Sequence, residues 1–283
     1  MRRILAIVFS IAALPLLARD HNRDVTINTR DFGEPITRCD QIEVYYDGDR
    51  VPMIEEDVPA SGLRSLRINS SRNGGVRVTG WDQSSYSVKA CKAGNARVSS
   101  RGDEISAEIP EGDDAIVYFI VRAPRNGSLD LQALNGELGV HDFTGTLSAR
   151  TTNGPISLSS VNGTITAEAH NGPITFKGGS GVVKLDATNG PITVKLDGDA
   201  WLGGSLDAHS HNGPLSLRVP NDYRSGVIVE SDGHGPVSCR AEACGRARRT
   251  WDDDTPRRIE LGSGPAVVRL STVNGPVSVR SNE

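Results

Sequence analysis

The sequence predicts an all-β fold: a single-chain, right-handed parallel β-solenoid (β-helix) with 18-residue coils, preceded by a β-rich segment that caps it. Three observations carry this reading. Glycine is in excess, 31 of 283 residues or about 11% against a usual ~7%. Nine of the 15 asparagines stand directly before a glycine, where chance placement gives about 1.6. These dipeptides also keep a fixed interval. Asn126, Asn135, Asn153, Asn162, Asn171 and Asn189 are separated by nine positions or by twice nine, and Thr144-Gly145 and Ser180-Gly181 fill the two vacant places.

The chain opens with Arg2 and Arg3, an uncharged stretch over residues 4–18, and then Arg19 and Asp20. That layout predicts a secretory signal peptide over residues 1–18, because about 15 apolar residues fall short of the ~20 needed to span a bilayer. Leu16, at the −3 position, departs from the small residue preferred there. Removing the leader changes the formal charge from −4 to about −6. A moderately acidic chain has no sequence-wide basic surface for nucleic acid. No apolar run long enough to cross a bilayer follows the leader, so the mature chain is expected to have no membrane span.

Residues 24–125 lack the nine-residue period but alternate apolar and polar residues over 66–68, 76–78, 86–88, 105–109 and 116–121. These are read as strands of a cap, which an open solenoid end requires to avoid edge-to-edge association. The four cysteines, Cys39, Cys91, Cys239 and Cys244, form an even set in an exported chain, and three pairings are open. Cys39–Cys91 and Cys239–Cys244 are favoured because each pair lies within one region. A four-cysteine zinc site would show paired CxxC-type knuckles, which are missing.

Residues 126–283 are the predicted solenoid. After each corner two apolar residues stand two apart, as in Leu129/Leu131, Leu147/Ala149, Ile156/Leu158 and Ile174/Phe176. Period-two alternation means a short strand with one buried face. Pro155, Pro173 and Pro191 follow glycine in every second unit, so the true repeat is two units long, one coil with a strand in each of two facing sheets. Asn135, Asn153, Asn171, Asn189 and Asn212 would then stack at one corner as an amide ladder. Beyond Asn189 the corners at Asn212, His234-Gly235 and Asn274 lie further apart than one coil, and the extra chain is expected to project as loops. The longest, residues 240–258, holds Cys244, Arg246, Arg248, Arg249, Trp251, Asp252, Asp253, Asp254, Arg257 and Arg258.

Residues 76–82 (VRVTGWD), residues 120–131 (IVRAPRNGSLDL) and the reiterated NG-P-I-S/T units resemble the bacterial "putative adhesin" family, DUF4097, from about residue 64 to the end. The resemblance implies an exported or cell-envelope β-solenoid of unassigned biochemical role. It implies no catalytic residues, and residues 239–258 depart from it.

Candidate chemistry is sparse. A calcium-binding roll needs an acid at the corner, where this chain has Leu138, Ile156 and Ile174. A polysaccharide lyase or hydrolase needs clustered carboxylates. Asp186, Asp197, Asp199 and Asp207 are the densest, and Asp186 and Asp207 would share a column if the insertion lies between them. His170 and His211 share a column two coils apart, about 9.6 Å and too far for one metal. His209 and His211 face the same way on one strand. No Ser sits in a nucleophile elbow, and no T-x-T column supports ice binding. The expectation is therefore a non-enzymatic, cofactor-free envelope protein, exported to the periplasm or cell surface. Its partner would be an envelope protein or glycan, gripped through Arg249, Trp251 and Arg257. The alternative is a carbohydrate-active enzyme using Asp186 and Asp207.

Overall fold

A chain of short alternating segments can bury its apolar positions only by laying strand on strand, and it does so in two large facing sheets. The computed structural model describes residues 25–29, 36–60, 62–70, 72–233, 235–252 and 255–282; the leader over 1–18 lies outside them. One sheet has eleven strands and the other twelve, and a three-stranded sheet of Val25–Thr29, Ile42–Tyr46 and Asp49–Val51 stands beside them. Helical structure among the described residues is limited to the 3-10 turns Cys39–Gln41 and Glu242–Arg246. No helix there is long and apolar enough to cross a membrane.

Each coil contributes one strand to each large sheet. The twelve-stranded sheet takes Ser128–Asn135, Thr146–Asn153, Thr164–Asn171, Val182–Asn189 and Leu206–Asn212 in order, all parallel. The eleven-stranded sheet takes Leu138–Phe143, Ile156–Val161, Ile174–Gly178, Ile192–Leu196 and Leu215–Val219, also parallel. Register places like on like: Leu129, Leu147, Ile165, Val183 and Leu206 form one column. Their side chains meet those of Ile156, Leu158, Ile174 and Phe176 from the opposite sheet in one core, all almost fully buried. Each such side chain contributes about 1.5–3 kcal/mol by leaving water.

Corner chemistry explains the period. Gly172 has φ +158°, and a Cβ there would lie 2.1 Å from the carbonyl oxygen of Gly154, so only glycine lets the backbones approach this closely. Proline follows where a missing N–H breaks no ladder bond, while its carbonyl accepts from the neighbouring coil, as in Ile156 N–H to Pro173 O at 2.9 Å.

The parallel stack begins before Asn126. Leu66–Asn69 pairs with Ser128–Asn135, and Gly74–Trp81 pairs with Leu138–Phe143. Antiparallel strands close this end. Arg97–Arg101 pairs with Glu104–Glu108 in one sheet, and Ile116–Pro124, Ser87–Ala93 and Ile54–Val58 follow one another in the other. The three-stranded sheet covers their outer face through a second core of Ile36, Ile42, Val44, Ile116, Tyr118 and Ile120, which contains the disulfide Cys39–Cys91. The outermost strand of each sheet carries charge, Glu55, Glu56 and Asp57 in one and Arg97 and Arg101 in the other, which discourages further strands from adding.

At the other end the order departs from simple succession. After Leu215–Val219 the chain skips a level. Gly226–Ser231 and Val237–Cys239 occupy the level beyond, and the final strands, Ala266–Asn274 and Val277–Ser281, return to fill the gap between. The extra residues therefore do not simply project. Residues 197–205 tuck Trp201 against Phe176, ring centroids 6.2 Å apart, with the indole N–H donating to Gly181 O at 2.9 Å. Residues 240–258, expected as a loop, contain the 3-10 turn and an antiparallel hairpin, Arg248–Asp252 against Thr255–Leu261, which extends the twelve-stranded sheet beyond Gly226–Ser231. Buried Ile259 and Leu261, two residues apart, seat it on the core. That alternation is inconspicuous in sequence because charged residues surround it.

Replacing buried Ile174 by Asp is expected to destabilise the fold by several kcal/mol, since an unpaired carboxylate would face the opposite sheet. Replacing exposed Thr175 by Asp is expected to change it by less than about 0.5 kcal/mol. Urea midpoints for the two variants check the inward register, and equal shifts would refute it.

Candidate interaction surfaces

The corner asparagines form a continuous amide ladder. Nδ2 of Asn153, Asn171, Asn189 and Asn212 donates to Oδ1 of Asn135, Asn153, Asn171 and Asn189 at 2.7, 2.9, 3.0 and 3.0 Å. Two further members are not marked by the sequence period. Asn135 donates to Asn73 at 3.4 Å and Asn274 to Asn212 at 2.9 Å, each across 62 residues of chain. Both precede glycine, but their place in the stack depends on long-range pairing that spacing does not encode. Just inside the corner, Thr151, Ser210 and Thr272 donate their hydroxyls to Gly136, Gly190 and Gly213 carbonyls, which satisfies polar groups at the edge of the core.

The outer face of the twelve-stranded sheet is polar and interleaved in charge. Arg67 and Arg150 both reach Asp130, at 3.1 and 3.4 Å, and Arg150 also reaches Glu168 at 3.2 Å. Beside this row runs an open groove of about 480 Å³ that includes Arg150, Thr152, Glu168, His170, Asp186 and Thr188. The expected Asp186–Asp207 column does not exist. Register sets Asp186 between Glu168 and His209, and Asp207 between Lys184 and Arg269. The insertion shifts the strand by two positions relative to that expectation, because Leu206 and Ala208 must face inward above Val183 and Leu185. Asp186 is instead 2.9 Å from Lys184 Nζ, and this hydrogen bond holds the lysine pKa above its ordinary value.

Asp199 pairs with Arg224, and the Asp197 backbone N–H donates to Gly178 O. His170 and His211 lie in the column either side of Thr188, as their neighbours' pairing requires. His209 Nδ1 is 3.0 Å from Ser271 Oγ. Among the described residues no three His, Cys, Asp or Glu side chains gather as a metal site.

The C-terminal hairpin separates the three residues expected to bind there together. Trp251 is 57% exposed on the outermost strand of its sheet. Arg249 instead donates to Cys244 O at 3.3 Å, and Arg257 donates to Gly233 O. Both arginines thus hold the hairpin to its base, while Arg248, with an 85% exposed side chain, reaches Glu260 at 2.7 Å. The disulfide Cys239–Cys244 closes the turn beneath them.

A half-buried polar triad at the capped end, centred on buried Tyr118, is marked by nothing in the sequence. Arg77 donates to Glu137 at 2.7 Å and to Tyr118 OH at 3.1 Å, and Tyr118 OH donates to Glu137. The three come from separate parts of the chain, so no local motif marks them. Burial, then the neighbouring Glu137 charge, pushes the Tyr118 pKa well above its ordinary value, and the two partners raise that of Arg77 against the opposing effect of burial. Nearby, the two segments that carry the family resemblance meet. Asp82 pairs with Arg125 at 2.8 Å, and the Arg122 guanidinium lies 5.8 Å from the Trp81 ring centre.

No family model matches the sequence, and no curated protein matches it. Among solved structures the chain is similar to a "putative cell adhesion protein" from Clostridium sporogenes, at 10% identity and TM-score 0.35 over 81% of this chain and 100% of that one. It is also similar to a "putative adhesin" from Bacteroides fragilis, at 9% identity and TM-score 0.40 over 81% and 97%. A "putative adhesin" from Parabacteroides merdae matches at 9% identity and TM-score 0.29 over 82% and 97%.

Two outcomes follow from these networks. Asn171→Asp replaces the donor to Asn153 by an oxygen facing an oxygen, and should cost about 1–2 kcal/mol in a urea titration. Tyr118→Phe should weaken the fold modestly at neutral pH and flatten its alkaline sensitivity. Above about pH 10 an unfolded tyrosine ionises while folded Tyr118 keeps its proton, so the native state binds more protons and stability falls as pH rises. Urea midpoints followed from neutral pH to about pH 11 should decline less in the Phe variant than in the parent.

Proposed function

We propose that this protein is an exported, non-enzymatic β-solenoid that presents a rigid interaction surface at the bacterial envelope, in the periplasm or at the cell surface, after cleavage of residues 1–18. The carrying observation is Trp251. It is a large aromatic side chain left 57% exposed on the outermost strand of a sheet whose other large apolar residues are mostly buried. Arg248 on the same strand adds cationic character, so the strand offers an aromatic anchor with a charged flank for an envelope glycan or protein. Arg249 and Arg257 support it by tying the hairpin down. Two disulfides fit an oxidising compartment.

The register supports the non-enzymatic reading over a carbohydrate-active enzyme. Lys184 engages Asp186, and Asp207 stands opposite Lys184 rather than beside Asp186.

Titration of the purified chain against peptidoglycan fragments and surface polysaccharides, read by isothermal titration calorimetry, tests the proposal. Trp251→Ala should weaken binding tenfold or more, about 1.4 kcal/mol or above, with the urea midpoint unchanged. Asp186→Asn should leave binding intact, and no polymer should be cleaved. Turnover that depends on Asp186 or Asp207 would overturn the reading.

A further inference from the structure

Asn-Gly is the dipeptide in which an asparagine side chain most readily reacts with its own backbone, because glycine offers no side chain to obstruct attack of its nitrogen on the preceding Cγ. A chain built on Asn-Gly corners is therefore exposed to this reaction at every coil, and the ladder opposes it. The N–H groups of Gly136, Gly154, Gly172, Gly190 and Gly213 donate to the carbonyls of Asn153, Asn171, Asn189, Asn212 and Asn274 at 2.8–3.0 Å. Each attacking nitrogen is thus held by its proton. The amide that would leave is held too, since every ladder Nδ2 from Asn135 onward donates to the asparagine before it.

Asn162 occupies the opposite corner of the coil, on the line of Thr144 and Ser180, where no asparagine ladder runs. Among the described residues neither Gly163 N–H nor Asn162 Nδ2 donates a hydrogen bond. The Ser180 hydroxyl donates to Asn162 Oδ1 at 2.7 Å, the atom on which negative charge develops when Cγ is attacked. Asn162 and Gly163 are both partly exposed, so water reaches them.

We propose that Asn162-Gly163 is a self-modification site that converts to aspartate or isoaspartate with water as the sole co-reactant. Gly163 N gives its proton to solvent and bonds to Asn162 Cγ, the bond from Cγ to the side-chain nitrogen breaks, and that nitrogen leaves as ammonia after taking up a proton. Water then opens the resulting succinimide at one of its two carbonyls. Each event adds one negative charge to the corner opposite the ladder. The isoaspartate product also lengthens the main chain beside Gly163, where even a Cβ would lie 2.3 Å from Gly145 O, so it disturbs the stacking that the aspartate product preserves.

The test is incubation of the oxidised full-length chain at mildly alkaline pH, with peptide mapping by mass spectrometry and assay of released ammonia, in buffer and in urea. In the folded chain Asn162 should convert at least about tenfold faster than Asn135, Asn153, Asn171 or Asn189. In urea all five should react at similar rates. Ser180→Ala should slow conversion at Asn162 severalfold while leaving the circular dichroism spectrum unchanged. If that variant unfolds, the native-to-urea rate ratio at each asparagine of the parent chain decides instead. Ladder asparagines that convert as fast as Asn162 in the folded chain, or an Asn162 as slow as they are, would overturn the proposal.

Discussion

Coil can lie on coil in this protein only where backbone meets backbone at the corners, and that contact is set by glycine. At Gly172 and Gly190 any side chain would fall about 2.1 Å from a carbonyl oxygen of the coil beneath. Once glycine brings the coils to hydrogen-bonding distance, the other arrangements follow. The asparagine before it meets its counterpart and forms the ladder, the proline after it starts the next strand, and the apolar pair beyond stacks in register. A one-residue slip would turn every buried side chain outward, so corner spacing and core composition enforce each other.

How much of this was legible in the sequence varied with the range of the interaction. The ladder members Asn135 to Asn189 and the inward columns could be read because their contacts recur once per coil at a constant separation along the chain. Asn73 and Asn274 could not, since each meets its partner across 62 residues and the intervening chain carries no period. The Asp186–Asp207 column failed for a related reason. Placing the insertion correctly was not enough without the demand that Leu206 cover Val183, which sets Asp207 opposite Lys184. Arg77, Tyr118 and Glu137 are ordinary residues in three separate stretches, and only the fold makes them a network.

The charge arrangement gives the molecule two unlike surfaces. Along the twelve-stranded sheet, acids and bases alternate closely enough that each neutralises its neighbour, leaving a solvated face with little net field. At the far end the Arg248–Leu261 region combines a turn closed by a disulfide, arginines spent on backbone carbonyls, and one uncovered indole. The paired strand holds the backbone beneath that indole in place, so little main-chain freedom remains there to be lost in any contact.

The returning C-terminal coil bears on how the chain can assemble. A polypeptide that emerges N-terminus first can add coils in order up to Leu215–Val219, each new strand finding its template already in place. The next strands to emerge, Gly226–Ser231 and Val237–Cys239, have no template, because the level between them and the stack is filled by strands that come later in the chain. This part of the molecule must wait with its edges unmet until Ala266–Ser281 arrives. Closure of this end of the stack is thereby tied to the arrival of Ala266–Ser281, and a product that stopped before them would lack the element that joins its outer strands to the rest.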